Sequence, residues 1–172
     1  MTFRVGQIFS DNYPPEASIW CNENGAYIEK SGDVFIIKEI PAPPEPTVEE
    51  LKAEKVSKID AETSAAILAG FDYPIAGTSY HFNYDSFDQQ NFSDTANMCQ
   101  LALAGTPGLP SSVTWNSYLQ DGTLVQQTFD AQGFLMLYTA GAMQHKATQM
   151  AIGGQRKAAV QAATTKKEVE AI

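Results

Sequence analysis

Pro41-Ala42-Pro43-Pro44-Glu45-Pro46-Thr47-Val48-Glu49-Glu50 is the stretch that divides the chain. Four prolines within residues 41–46 favour polyproline II, which extends about 3.1 Å per residue and behaves as a stiff spacer. The spacer ends on Thr47, whose hydroxyl can accept from the Glu50 amide while the Glu50 carboxylate reaches back to Thr47. This reciprocal capping box opens helices. The helix is expected to run to about Ala69, with Gly70 as its stop. Val48, Leu51, Val56, Ile59 and Ile67 mark one face. Their spacing is too irregular for a long coiled coil. A Pro-rich SH3-type ligand would need a basic flank, which is missing.

Upstream, three short elements are expected. Phe3, Val5, Ile8 and Phe9 suggest a short strand or an irregular apolar edge. Asp11-Asn12-Tyr13-Pro14-Pro15 leads into a helix with Pro15 in its first turn, and Asn24-Gly25 ends it. Ala26–Glu29 and Val34–Ile40 flank Ser31-Gly32-Asp33, a hairpin signal. Elements this short bury little alone, so the head is expected to lean on something else, either the rest of the chain or another subunit.

Downstream, Thr78–Tyr84 alternates aromatic and polar residues and reads as a strand with Tyr80, Phe82 and Tyr84 on one face. Ser86-Phe87-Asp88-Gln89 resembles a second capping box, opening a helix that carries Phe92, Cys99 and Leu103. Val113–Trp115 and Thr123–Val125 flank Gln120-Asp121-Gly122, a second hairpin. Thr128 or Asp130 caps a long helix in which Met136, Ala140, Met143, Ala147 and Met150 recur at helical spacing; the methionine stripe reads as core filling. Gly153-Gly154 is either a kink or a close-packing point. Thr165-Lys166-Lys167-Glu168 is a third capping box before a short final helix. Hairpins alternating with helices, without βαβ spacing, predict an α+β fold. The expected units are a head at 1–40, a Pro-rich linker and charged helix at 41–70, and an α+β domain at 71–172.

Composition narrows the function classes. In 172 residues, 11 Lys and Arg stand against 20 Asp and Glu, a net charge of −9. That disfavours nucleic acid and anionic membrane surfaces as partners. No apolar run approaches the length of a transmembrane helix, and residues 1–7 lack the charged-then-apolar pattern of a signal peptide. Basic residues are absent between Lys58 and Lys146 and gather near the end, at Lys146, Arg156, Lys157, Lys166 and Lys167. An acidic body and a basic tail can pair within one chain or between copies, and a basic helix end is also favoured by its own dipole.

Reactive side chains do not converge in the sequence. His81 and His145 are the two histidines, and no GxSxG motif accompanies them. His81, Asp85 and Asp88 match no metal-ligand spacing and read better as a polar strand face followed by a helix cap. Gly153-Gly154-Gln155-Arg156-Lys157 lacks the rest of a phosphate loop. Cys21 and Cys99 read as buried free thiols, although a disulfide between them is not settled by spacing. No enzyme activity, cofactor or metal is expected. Aromatic residues are dense at Trp20, Tyr80, Phe82, Tyr84, Phe87 and Trp115. Core packing explains such a set, and the same residues are the candidates for an interface patch, where Trp and Tyr serve as anchors.

Two stretches carry a resemblance. Tyr13–Ala17 through Trp20-Cys21-Asn22-Glu23-Asn24-Gly25, with the hairpin, Pro-rich run and charged helix that follow, resembles the N-terminal part of phage tail-fibre-associated proteins. Phe82-Asn83-Tyr84-Asp85, Phe87–Phe92, Trp115, Thr128-Phe129 and the ending Ala162–Thr165 with Glu168–Ile172 are similar to a C-terminal phage domain of unknown function. The resemblance brings no catalytic motif. It implies a non-enzymatic structural component of a phage tail, bridging or attaching tail fibre or baseplate proteins, located in the virion tail and assembled in the bacterial host cytoplasm. The alternative it implies is a transient fibre-assembly chaperone. Fibre or baseplate proteins, and a second copy of the chain, are the partner classes.

Overall fold

The computed structural model describes residues 2–172. The chain forms an α+β fold in two compact units, one ending at Glu45 and one spanning Pro46–Ile172.

In the first unit the elements are β1 (Ile8–Phe9), α1 (Pro15–Glu23), β2 (Ala26–Ser31) and β3 (Val34–Glu39). The strands form an antiparallel sheet in the order β1-β3-β2. Pro15 opens α1, where its missing N–H costs nothing. Gly25, at φ 62°, turns the chain out of the helix. Gly32, at φ 63°, takes the first place of the two-residue loop between β2 and β3. Helix α1 turns Ala17 and Cys21, one turn apart, onto Ala26 and Ile37 of the sheet, with Phe3 closing the cluster. An aromatic run from Phe3 through Phe9 and Tyr13 to Phe35 extends it, the last pair edge to face at 5.1 Å. The head has its own small core.

The second unit begins with α2 (Val48–Leu68). Its capping box forms as expected: Thr47 Oγ1 accepts from the Glu50 amide at 3.2 Å, and the Thr47 amide donates to Glu50 Oε2 at 2.7 Å. Then follow β4 (Phe71–Ile75), β5 (Thr78–Phe82), α3 (Ser86–Leu103), β6 (Ser112–Tyr118), β7 (Leu124–Asp130) and α4 (Ala131–Met136). A π-helical stretch, Leu137–Met143, joins α4 to α5 (Gln144–Ala162), and α6 (Lys166–Glu170) follows. The four strands form an antiparallel sheet in the order β4-β5-β6-β7. Two hairpins build it, and a single residue pair, His81 with Tyr118, joins β5 to β6.

Two cores lie in this unit. Phe71, Phe82, Tyr84, Phe92, Phe134 and Leu137 pack between the sheet, α3 and the start of the last long helix. Ile59, Val160, Ala163 and Val169 pack where α2 meets α5 and α6. The second contact is reinforced by Arg156 with Glu62 and Lys157 with Asp60, each at 2.7 Å. Lys52 and Lys55 donate to the Gln161 and Glu170 carbonyls, both at 3.3 Å, near the C-terminal ends of α5 and α6. Part of the basic tail is thus paired with the acidic helix of the same chain.

Three expectations need correction, and one strand carries no signal in the sequence. The helix at 48–68 is not part of a separate linker unit at 41–70. Its apolar face is buried against α5 and α6, so the division falls at Glu45, within the Pro-rich run. Residues 71–75 form strand β4, although Asp72 and Pro74 weaken any strand signal there. The helix after β5 is capped by Asp85, whose Oδ1 accepts from the Phe87 and Asp88 amides at 2.8 Å, so the box is shifted by one residue from Ser86. The methionine stripe is not core: Met136, Met143 and Met150 are 57%, 49% and 58% exposed. The inward side carries Phe134, Leu137, Gly141 and Ala142 instead.

Gly153 proves to be a close-packing point and not a kink. Helix α5 runs unbroken through it, and a Cβ there would lie 2.3 Å from Thr63 Oγ1 on α2.

Candidate functional site

The six aromatic interface candidates separate into different roles. Phe82 is fully buried and Tyr84 nearly so, and both belong to the main core. Trp115 is half-buried against that core, its ring 4.3 Å from Phe92 and 5.1 Å from Phe134. Tyr80 packs on the same cluster. Phe82 and Tyr84 are thus core residues, and Tyr80 and Trp115 are partly buried against the same core. The cause is simple: strand alternation sends one face of β5 and β6 under α3 and α4, and aromatic residues collect there. Phe87, in the first turn of α3, is 74% exposed. Trp20 is half-buried at the edge of the head core, beside Ile19, which is 57% exposed.

Three surface depressions follow from this arrangement. In the head, the apolar Phe3, Ile19 and Trp20 and the acidic Glu16 and Glu23 line an open cleft of about 440 Å³. In the second unit, a groove of about 580 Å³ runs between α3 and the last long helix. Tyr138, Met143, Ala147 and Met150 form one wall, and Ser86, Gln89, Gln90 and Ser93 form the other. Lys146 spans it, donating to Gln89 Oε1 at 2.8 Å. Because of the π-helical stretch, Tyr138 and not Ala140 continues the wall above Met143. The sequence pattern alone could not give that register.

The third depression lies where the two hairpins of the large sheet fork. Asp72, His81 and Tyr118 occupy directly opposed positions on β4, β5 and β6. They line a cleft of about 580 Å³ with Asn83, Leu119, Gln120 and Gly122. Asp72 Oδ1 meets His81 Nδ1 at 2.9 Å, with both side chains partly exposed. The His81 ring lies over Gly70, where an added Cβ would come within 2.7 Å of Nε2 and 2.4 Å of the Phe82 carbonyl. Gly70, at φ 92°, is therefore required both by its backbone and by the ring. An adjoining cleft of about 420 Å³ shares Asp72 and His81 and adds His145. His145 Nε2 lies 3.2 Å from the Ile67 carbonyl, and its ring stacks on Phe71 at 5.9 Å.

A carboxylate beside an imidazole can orient that imidazole as a proton acceptor. Hydrolytic chemistry would also need a nucleophile at the second ring nitrogen. Among the described residues, the side-chain hydrogen-bond partner that the structure gives His81 is Asp72, and His145 is tied to the end of α2. Both histidines thus act as structural links: one joins β4 to β5 and the other joins the last long helix to α2. Cys21 and Cys99 are buried free thiols, and burial pushes both thiol pKa values up, away from the reactive thiolate. Asp88 is raised by burial and then by Asp85, its partner in the helix cap. Among the described residues, no cluster of three or more His, Cys, Asp or Glu side chains is placed to hold a metal ion. No helix among them is long and apolar enough to cross a membrane.

No similar protein was found among the curated proteins, and none among the solved structures. The family described as a domain of unknown function (DUF4376) matches residues 50–172, which takes in almost all of α2 and everything after it, and the chain belongs to that family.

Proposed function

We propose that the chain is a non-enzymatic structural component of a phage tail that bridges or attaches fibre or baseplate proteins. The phage context rests on the sequence resemblance of both the head and the C-terminal region. The bridging role rests on one structural observation: two units, each with its own core, each present a surface depression with exposed apolar side chains in it or beside it, and a Pro-rich run lies at their boundary. A bridge needs two separately folded attachment surfaces, and Trp20 with Ile19 on the head and Phe87, Met143 and Met150 on the second unit supply the apolar anchors. The side chains that could do chemistry are occupied in holding the fold. On this reading the site of action is the virion tail, assembled in the bacterial host cytoplasm.

Mass spectrometry of purified virions tests this. The chain should be recovered from particles in fixed ratio to tail proteins. Binding to a fibre protein in infected cells together with absence from purified particles would contradict the structural role and favour a transient fibre-assembly chaperone.

A further inference from the structure

We infer that strand β7 is a self-association edge, at which two copies of the chain join their large sheets in an antiparallel pair centred on Gln127. A sheet edge exposes a row of unpaired N–H and C=O groups, and proteins normally blunt such edges with charge, proline or brevity. Three of the four edges here are blunted. Strand β1 has two residues. Strand β2 carries Glu29 and Lys30, with Glu29 ion-paired to Lys38. Strand β4 carries Pro74 and the Asp72–His81 pair. Strand β7, Leu124-Val125-Gln126-Gln127-Thr128-Phe129-Asp130, is seven residues long, has no proline, and has one charge at its end. That charge is already engaged, since Asp130 Oδ1 accepts from the Gly133 amide at 2.7 Å to cap α4.

The hydrogen-bond parity of the edge follows from the hairpin. The Leu119 amide donates to the Thr123 carbonyl at 2.9 Å. Counting on by twos along the β6–β7 register, Val125, Gln127 and Phe129 bond inward to β6. The backbone groups of Leu124, Gln126 and Thr128 therefore point outward, and among the described residues none of them meets a partner strand.

This parity limits how two β7 strands can pair. Both members of a hydrogen-bonded pair must come from the outward set. Centring on Gln127 sets Gln126 against Thr128 of the second copy, and the reverse, giving about four backbone hydrogen bonds from those two pairs. It also sets Val125 against Phe129, apolar against apolar. At the two-fold axis Gln127 faces Gln127 across the closer, non-hydrogen-bonded spacing. The Gln127 Nε2 is the buried side-chain nitrogen that finds no acceptor among the described residues. A second Gln127 on the same sheet face offers the amide oxygen it lacks.

The test is sedimentation equilibrium of the full chain at rising concentration, with two register-specific variants whose folding is checked by circular dichroism. Wild type should dimerise. Gln126→Lys combined with Thr128→Lys places like charges opposite each other twice and should weaken the dimer at least ~tenfold. Gln126→Lys combined with Thr128→Glu places opposite charges together and should keep it. In addition, Gln127→Cys should give a disulfide-linked dimer on oxidation, because directly opposed residues at that spacing lie within disulfide reach, and Gln126→Cys should not. A chain that stays monomeric to millimolar concentration overturns the inference. So does a dimer that both charge variants leave unchanged, or one that Gln126→Cys crosslinks as readily as Gln127→Cys.

Discussion

Gly153 and Gly154 are neighbours in one helix, yet alanine should have opposite effects at the two positions. Both lie in the interior of α5, so each substitution gains about 0.8–1 kcal/mol of helix propensity. At Gly154 a Cβ meets nothing within 4 Å, so that gain should appear in full. At Gly153 a Cβ would sit 2.3 Å from Thr63 Oγ1, 3.1 Å from Cγ2 and 3.2 Å from Cβ. Rotating Thr63 moves its hydroxyl and methyl but not its Cβ, so α2 and α5 must separate. Overpacking of this kind costs about 1–3 kcal/mol. Subtracting the propensity gain leaves Gly153→Ala destabilised by roughly 1 kcal/mol, against a stabilisation of about 1 kcal/mol for Gly154→Ala. At about 2–5 °C per kcal/mol, the two melting temperatures should bracket wild type, read at 222 nm where α2 and α5 dominate the second unit. Trimming the obstacle with Thr63→Ala should restore part of the loss in Gly153→Ala and none of the gain in Gly154→Ala. If both single variants rise together, α2 does not lie against Gly153, and the packing described for the second unit is wrong.

Phe92→Ala should cost about 3–5 kcal/mol and leave the second unit at best partly folded in a urea titration, because its fully buried ring contacts Phe71, Tyr84, Trp115 and Phe134. Trp20→Ala should cost the head only about 1–3 kcal/mol, less than a fully buried ring, since the indole is only partly buried; a loss as large as that of Phe92→Ala would place it inside a core. Acid should weaken the second unit. The Glu50, Glu62 and Glu168 carboxyls are held below their ordinary range: Glu50 by the Thr47 amide and hydroxyl, Glu62 by Arg156, and Glu168 by the Thr164 and Thr165 amides. For a carboxyl lowered in the folded state, the stabilisation is complete above its unfolded value of about 4.3 and is lost as pH falls through the folded value. Asp88, raised by burial, works in the opposite sense and offsets part of the loss. The urea midpoint should therefore fall between pH 5 and pH 3 by this account, and an unchanged midpoint would contradict it.

Local signals in this chain were legible where one or two side chains decide the backbone. Thr47 with Glu50 and Thr165 with Glu168 name their helix starts, because a hydroxyl and a carboxylate three residues apart satisfy two amides at once. Gly32 and Gly122 mark their hairpins because each takes a positive φ, at 63° and 84°. The unread parts depend on distant partners. Strand β4 exists because Phe71 pairs with Phe82 and Tyr73 with Tyr80, and Asp72 and Pro74 conceal that pairing. Its turn is Ala76-Gly77, and the alanine holds φ 50°, a conformation few sequences would suggest for it. The methionine pattern misled for a different reason. Helical spacing shows which residues lie on one side but not which side the rest of the fold covers, and here the covered side carries Phe134, Leu137, Gly141 and Ala142. Among the interface candidates, Phe87 and Trp20 reach the surface and Phe82, Tyr84, Tyr80 and Trp115 serve the core. Aromatic density carries no information on which face of a strand the helices will cover.

The central claim is that the chain works by presenting surface to other polypeptides. Native mass spectrometry of the full chain with candidate tail-fibre and baseplate proteins tests it most directly. A stoichiometric complex, lost on combining Trp20→Ala with Phe87→Ser while each unit keeps its fold, is the predicted result. Failure to form any complex with fibre or baseplate proteins, alongside turnover of a small-molecule substrate that His81→Ala abolishes, would contradict it.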